Sequence, residues 1–406
     1  MEKIRQIELK KNAFKTMGVI SSSITMFIWG FILALAPLTT EWPFVPKYYY
    51  MYLLVAPPAS LLAGNMVMGF LIDKFGRKKI FVLDLILFSI SIPMIILSNN
   101  VIVLIVGIGL AEFSLGGDED TILAYLSEMT PKGSRGRVIV FSTNMANFGA
   151  LIAALLSLVT GFSLYIQKLS FALLLTLSIP AIAITRFLMP ESFRWEYYKE
   201  RESVALKRGE VVTRLYFLVS MAITIVLTYA LMGLVIGPYL FPNLTSYIIL
   251  LYNLGETIGG FILLSFIDAV NRKLFAFSSY LGGTITMALF IPQFIFMPRN
   301  LVAFMTLLFL NGFFGEFGWA TRVIMEPELF PTRIRGIGIG LVRSIAYSLY
   351  IASIFFTASF SYITYIVYNF ILWALGLSGS SLWLKHGINT TGKALEEISD
   401  RVPTKR

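Results

Sequence analysis

Twelve long apolar stretches, separated by short polar breaks, make up most of this chain. Each is near the ~20 residues that a helix needs to cross the hydrocarbon core of a bilayer. Only 14% of the 406 residues are charged, whereas a soluble domain carries roughly 25%. The sequence therefore predicts an all-α integral membrane protein with little room for a soluble catalytic domain. The predicted spans are residues 17–38, 48–72, 80–97, 101–126, 138–161, 168–189, 214–236, 246–267, 274–297, 301–326, 337–357 and 362–384.

The composition excludes most enzyme chemistry. The chain has no cysteine and a single histidine, His386. Thiolate metal sites, cysteine nucleophiles and histidine metal clusters are therefore ruled out. We expect no enzyme activity, no metal site and no cofactor. An intramembrane hydrolase is disfavoured because His386 lies at the end of the last span.

The basic residues are concentrated on one side of the predicted membrane. Most of the 33 lysines and arginines lie in the N-terminal arm, the turns after even-numbered spans, the 190–213 segment and the tail. The opposite loops hold only Lys47, Lys168 and Arg299. By the positive-inside rule, both termini lie in the cytoplasm of a multi-pass cell-membrane protein. The net charge of +10 is thus a topology signal, and we expect no nucleic-acid partner.

The segment 190–213 is the largest polar interruption and divides the chain in two. We expect a six-helix bundle over 1–189, a cytoplasmic central loop over 190–213, and a second six-helix bundle with a short cytoplasmic tail over 214–406. The apolar part of the first span exceeds the usual signal-peptide core, so we expect a retained helix.

Two turns of the first half recur in the second half. The recurring residues are Glu128, Pro131, Arg135 and Gly136 with Glu328, Pro331, Arg335 and Gly336, and Asp73, Arg77 and Lys78 with Asp268, Arg272 and Lys273. Nearly constant offsets in independent turns indicate an internal repeat. Six-helix repeats with a solute site between them near mid-membrane are typical of secondary transporters.

At these turns the sequence resembles the major facilitator superfamily. Residues 69–79 (GFLIDKFGRKK) resemble the family signature between helices 2 and 3. Segments 125–137, 190–195 and 391–398 are similar to the sugar-porter and organic-ion branches. The resemblance implies the twelve-helix, two-repeat fold and transport by alternating access.

The resemblance also implies a set of gating ion pairs next to the membrane. The implied pairs are Arg77 with Glu128, Arg135 with Glu191, and Arg272 with Glu328, with Asp73 and Asp268 beside them. Arg335 lacks an acid at its expected partner position, which is Asn389, so the second latch is expected to be weaker. The alternative is that these residues only anchor the loops. Pairs that form in one state and break in another are a common switching device.

Acidic residues in the fourth span suggest proton coupling. The candidates are Glu112, Asp118, Glu119 and Asp120. Ionisable residues inside a span are functional candidates by default. The run 116–118 also resembles the fourth-helix signature of proton-coupled phosphate and metabolite symporters. The alternative is that some of these acids only neutralise Arg322 or Arg343.

Arg322 in the tenth span leaves two alternatives open. It binds a carboxylate of the solute through two hydrogen bonds, or it pairs with an acid such as Glu326. The candidate solute-binding residues are Arg322, Glu256, Glu316, Asn147, Trp319 and Asn311.

Departures from the sugar porters decide the preferred solute. Residues 218–231 lack the glutamine pair of their seventh helix, Ile108 replaces their fourth-helix arginine, and no acid lies between Met17 and Leu38. We therefore expect a monomeric, bilayer-embedded transporter that moves a small organic acid or amino acid with protons. A sugar carrier and an organic-cation carrier are the alternatives, followed by a solute-sensing receptor.

Overall fold

The computed structural model describes residues 2–75, 77–116, 118–188, 208–331 and 335–399. The described residues form helices joined by short turns. The helices are α1 Glu2–Thr39, α2 Tyr50–Phe75, α3 Arg77–Ile96, α4 Val101–Leu115, α5 Asp118–Met129, α6 Arg135–Thr160, α7 Leu164–Leu188, α8 Arg208–Thr228, α9 Thr245–Leu263, α10 Arg272–Phe296, α11 Leu301–Leu329, α12 Arg335–Thr357, α13 Tyr362–His386 and α14 Leu395–Ile398. A π-helical turn, Tyr229–Val235, and the short helix Ile236–Leu240 extend α8.

The helices match the predicted spans, with one correction. Ten described helices are long and apolar enough to cross a membrane, and two shorter apolar ones are Leu83–Ile96 and Val101–Leu115. The continuous fourth span is wrong, because α4 ends at Leu115 and α5 begins at Asp118. Two consecutive glycines between them favour a break, since glycine is among the weakest helix formers. The all-α, twelve-helix prediction is confirmed.

Helix packing follows the two repeats. In the N-terminal half, α1 packs on α6 and α7, and α4 packs on α2 and α3. In the C-terminal half, α11 packs on α9 and α10, and α13 packs on α8 and α10. The halves meet mainly where α6 contacts α9 and α2 contacts α12. The boundaries 1–189, 190–213 and 214–406 stay predictions.

Small residues allow α1 and α6 to approach closely. A Cβ atom on Gly149 would overlap the backbone carbonyl oxygen of Phe27, and one on Gly30 would overlap that of Ala146. Close backbone approach at glycine is a common device for packing helices in membranes, where lipid removes the hydrophobic driving force between them. These glycines hold α1 and α6 at the distance that shapes one wall of the cavity described below.

Because α1 and α6 are so close, replacing glycine by alanine at their contact should destabilise the folded protein. Gly149→Ala should lower the thermal unfolding temperature in detergent, because overpacking typically costs about 1–3 kcal/mol. The matched control is Gly133→Ala, since a Cβ there meets nothing within 4 Å. Equal unfolding temperatures for the two variants would contradict this packing.

A candidate solute site between the halves

A narrow cavity, with about 30 Å³ of space for water-sized molecules, lies between the two halves. The N-terminal half contributes side chains from α1 and α6, and the C-terminal half contributes α8, its π-helical turn, α9, α11 and α12. The lining residues are Trp29, Gly30, Leu33, Ala146, Asn147, Ile225, Val226, Tyr229, Ala230, Leu234, Glu256, Trp319, Tyr347 and Tyr350. Among the residues that the structure describes, no lysine, arginine or histidine lines this cavity.

Two tryptophans, one from each half, stack in the cavity wall. The ring centroids of Trp29 and Trp319 are 6.3 Å apart, with 19° between the ring planes. Their indole Nε1 atoms are buried and have no hydrogen-bond partner within the described chain. Buried donors without a partner are rare in folded proteins. A solute with hydroxyl or carbonyl oxygens would satisfy them.

Tyrosines supply further rings and hydroxyl groups. Tyr229, in the π-helical turn, donates through its hydroxyl to Asn253 Oδ1 at 3.2 Å. Such turns occur frequently at functional sites because they locally widen the helix. Tyr347 and Tyr350 lie on the facing side of α12, with ring centroids 6.4 Å apart. The cavity is therefore bounded by aromatic rings on several sides.

A polar chain crosses from α6 to the C-terminal half beside the cavity. Asn147 Nδ2 donates to Glu316 Oε2 at 2.6 Å. It also donates to Asn144 Oδ1 at 3.2 Å, and Asn144 Nδ2 donates to the carbonyl oxygen of Thr257 at 3.1 Å. Glu256 lines the cavity, and Glu316 is fully buried. This chain links a carboxyl group of one half to an amide of the other.

Arg322 does not line the cavity. Its guanidinium is fully buried, and Nη1 lies 3.1 Å from Glu326 Oε2, one helical turn away. The guanidinium carbon lies 4.4 Å from the ring centroid of Trp319. Of the two alternatives for Arg322, the structure has the ion pair. Asn311 is also away from the cavity and donates to the Gly283 carbonyl oxygen and to Thr286 Oγ1.

The acids of the fourth span are not brought together at the cavity. Glu112 is buried within α4. Asp118 begins α5 and lines a separate, smaller pocket together with Asp84 and Ile182. The side chains of Glu119 and Asp120 lie outside the described residues. The proton-coupling role of these four acids stays a prediction that the cavity geometry does not favour.

Two buried ion pairs join the halves at the end of the bundle that carries the basic turns, here called the basic end. Arg135 Nη1 lies 3.2 Å from Glu328 Oε1. Arg335 Nη1 lies 2.8 Å from Glu128 Oε1. Positions 128 and 328 are equivalent in the repeat, and so are positions 135 and 335. The arginine of each half therefore pairs with the glutamate of the other half. We call these two pairs the crossed latch.

The crossed latch corrects the sequence predictions on partners. Asn389 stands where the resemblance places an acid for Arg335, and Arg335 pairs with Glu128 of the other half. Arg272 lies 3.6 Å from Asp268, and Glu328 attracts its guanidinium over a longer distance. The predicted pairs of Arg77 with Glu128 and Arg135 with Glu191, and the position of Asp73, fall on side chains outside the described residues.

Asp268 makes a further contact between halves at the same end. Its Oδ1 accepts from the backbone N–H of Gly136 at 2.8 Å, and its Oδ2 accepts from that of Arg137 at 3.1 Å. Both N–H groups belong to the first turn of α6, where the helix dipole favours a negative charge. The acid of one repeat thus caps a helix of the other half.

The end opposite the basic end is also bridged. Glu41, after α1, accepts through Oε2 from Ser246 Oγ of α9 at 2.9 Å. Ser246 Oγ lies 3.2 Å from Ser157 Oγ of α6. The cavity therefore lies between two sets of contacts that join the halves.

Comparison with known proteins finds similarity to transporters. The model of the family "Sugar (and other) transporter" matches residues 46–212. The minor myo-inositol transporter IolF of Bacillus subtilis (strain 168) is 24% identical over 381 residues, which cover 86% of this chain and 84% of the relative. A second protein of that strain, provisionally named the niacin/nicotinamide transporter NiaP, is 28% identical over 342 residues, covering 80% of this chain and 81% of the relative.

Solved structures share the fold. The proton:xylose symporter XylE bound to 6-bromo-6-deoxy-D-glucose has a TM-score of 0.73 at 16% identity, covering 96% of this chain and 99% of the other. The inward-open xylose transporter XylE from E. coli has a TM-score of 0.68, with the same coverage. These matches favour the sugar alternative over the organic-acid prediction. The chain is therefore similar to sugar and metabolite transporters over most of its length, and it shares the fold of the solved XylE transporters.

Proposed function

We propose that this protein carries a small, neutral, polyhydroxylated solute, a sugar or polyol, across the membrane by alternating access. One observation carries the proposal: the cavity takes aromatic rings and unpaired polar atoms from both halves, but no cationic side chain from the described residues. A solute that contacts both halves is released on whichever side they separate.

The chemistry of the lining fits such a solute. The C–H face of a ring or polyol packs against Trp29 or Trp319. Its hydroxyl groups donate to the carboxyl oxygens of Glu256 and accept from the indole N–H groups, which have no partner among the described residues. Buried polar groups of the protein that gain a partner on binding give strong discrimination against analogues that lack the hydroxyl.

An organic acid fits the cavity poorly. A solute carboxylate would meet Glu256 without a cation to offset the repulsion, and Arg322 is held by Glu326. Burying a charge without a partner is costly. We therefore withdraw the organic-acid prediction.

A specific observation favours an organic cation as the second candidate. Glu256 lies in a cavity bounded by the rings of Trp29, Tyr229, Trp319 and Tyr350. A carboxylate combined with aromatic faces is the arrangement that binds organic ammonium groups. The sugar relatives favour the neutral solute, and the experiment below separates the two.

The sidedness of the transporter is part of the proposal. We infer that the basic end faces the cytoplasm of a cell membrane, because lysine and arginine are retained on that side. Both termini would then be cytoplasmic, and a monomer contains the whole cavity.

The test is a binding screen on the purified protein, with myo-inositol, D-xylose, nicotinamide, tetraethylammonium and acetate as probes. A ligand that binds only the folded state raises the unfolding temperature by mass action. We expect stabilisation by myo-inositol or D-xylose and none by acetate. Stabilisation by tetraethylammonium alone would replace the proposal with the second candidate, and stabilisation by acetate alone would refute both.

A further inference from the structure

Two glutamates face each other beside the cavity, on the packed helices α9 and α11. Glu256 is 3% exposed and Glu316 is 0% exposed. Glu256 Oε1 lies 3.2 Å from the point where a Cβ atom would stand if Gly315, the neighbour of Glu316, had a side chain. The Cβ of Glu316 lies 3.5 Å from the position of a Cβ on Gly259, which is one helical turn from Glu256. The glycines therefore make room for this carboxyl pair.

No described cation balances the pair. Neither glutamate forms an ion pair with a described lysine, arginine or histidine, and the nearest charged pair on α11, Arg322 with Glu326, is internally compensated. The titratable groups nearest the pair are tyrosines: Tyr229 in the π-helical turn, Tyr252 on α9, Tyr280 on α10, and Tyr347 and Tyr350 on α12. Beyond the last two lie Arg343 of α12, 5.4 Å from the Tyr347 ring, and Glu112 of α4, which acts on Tyr350. From α6, the neighbouring polar group is the amide of Asn147.

Each carboxyl group has a fully buried oxygen without a partner among the described residues. These atoms are Oε2 of Glu256 and Oε1 of Glu316. Two ionised carboxylates so close together and so deeply buried repel each other and lose their hydration, and this combination is normally relieved by a proton or a cation.

We infer that Glu256 and Glu316 together bind one exchangeable proton, and that Asn147 links this proton site to the opposite half. Proton binding by the pair does not depend on the proposed function. Only the statement that the proton accompanies the solute rests on it. The inference also fits the rest of the chain, since α1 has no acid between Met17 and Leu38, and Asp118 lines a different pocket.

The proton balance is simple. A proton from water at the open face forms an O–H bond with one carboxylate oxygen of the pair, and it returns to water at the other face after the halves rock. In this structure, where contacts join the halves at both ends, Glu316 Oε2 accepts a hydrogen bond from Asn147. The other oxygen of Glu316 is free to share the proton with Glu256. Loss of the proton leaves two like charges beside the interface between the halves. Proton occupancy thereby biases which face opens.

The first test needs no solute. Infrared difference spectra of the purified protein across a pH titration report the C=O stretch of a protonated carboxyl group. We expect Glu256→Gln and Glu316→Gln each to abolish the titrating band of the pair. The control is Asp84→Asn, which removes a buried acid outside this cavity and should keep the band. Retention of the wild-type titrating signal in both glutamine variants would overturn the inference.

The second test measures coupling in proteoliposomes with the solute found in the screen. Solute-driven proton movement should fall at least roughly ten-fold in each glutamine variant, and the pH dependence of solute affinity should disappear. Coupling that is lost in Asp118→Asn but kept in both glutamine variants would move the proton site to α5 and overturn the inference. If the infrared result holds while no sugar or polyol binds, the carboxyl pair stands and the proposed solute class fails.

Discussion

Arg135→Gln should open the basic end of this protein. Arg135 and Glu328 are both buried where they pair between the halves. The substitution removes the cation within ion-pair distance of Glu328 and leaves only the longer-range attraction of Arg272. This loss arises only in the state in which this end is closed. Losing one partner of a buried pair costs about 3 kcal/mol, so we expect a roughly 100-fold shift toward the state open at the basic end.

The absence of cysteine makes this shift measurable. The reporter is a cysteine introduced as Ile225→Cys. Ile225 lines the cavity and belongs to α8, the helix that begins at the basic end. The labelling rate of this cysteine by a polar thiol reagent should rise strongly in Arg135→Gln. The matched control is Arg137→Gln, because the Arg137 side chain is 57% exposed and its nearest approach to Asp268 is 4.0 Å. Exposed pairs contribute little, so equal labelling in both variants would contradict the crossed latch.

Trp29→Ala should weaken solute binding more than any other change in the apolar part of the cavity wall. The substitution removes the ring stacked on Trp319 and one unpartnered indole N–H. Losing a buried aromatic anchor costs about 2 kcal/mol of binding free energy, or roughly a 30-fold rise in Kd. The measurement is the Kd of the solute identified in the screen, on protein whose unfolding temperature shows that it is folded.

Two phenylalanine variants separate the ring from its N–H group. Trp29→Phe keeps an aromatic ring and should raise Kd by roughly five-fold or less, about the effect of one neutral hydrogen bond. Trp373 offers a matched control, since it is fully buried in α13, has an unpartnered indole nitrogen within the described chain and does not line the cavity. Trp373→Phe should leave Kd unchanged. An equal loss in Trp373→Phe would mean that general packing, and not the cavity, controls affinity.

The sequence was sufficient for the fold because each span carries its own signal in length and apolar composition. It also identified the residues of the crossed latch, since Glu128, Arg135, Glu328 and Arg335 stand in turns that repeat. The partners were harder to predict. An ion pair between repeats depends on how the halves approach each other, and the sequence does not encode that approach locally.

The cavity wall shows the same limit. Tyr347, Tyr350, Leu33 and Leu234 line the cavity, but no sequence signal separates them from the many apolar and aromatic residues of the spans. The π-helical turn that carries Tyr229 is likewise a tertiary feature. Arg322 was misleading for a related reason, since an acid one helical turn away was already present to neutralise it. The helix break before Asp118, by contrast, could have been read from the two glycines that precede it.

The most direct measurement of the central claim is protection of a cavity cysteine by solute. Ala230→Cys, in the π-helical turn, places a thiol in the cavity wall of a chain that has no other cysteine. Labelling is followed in proteoliposomes with increasing myo-inositol or D-xylose, and uptake of the same solute is measured in parallel. The proposed site predicts that the transported sugar or polyol slows labelling, with half-protection near its KM, and that acetate does not. A sugar or polyol that is transported at full rate without slowing the labelling at any concentration would show that the solute binds elsewhere.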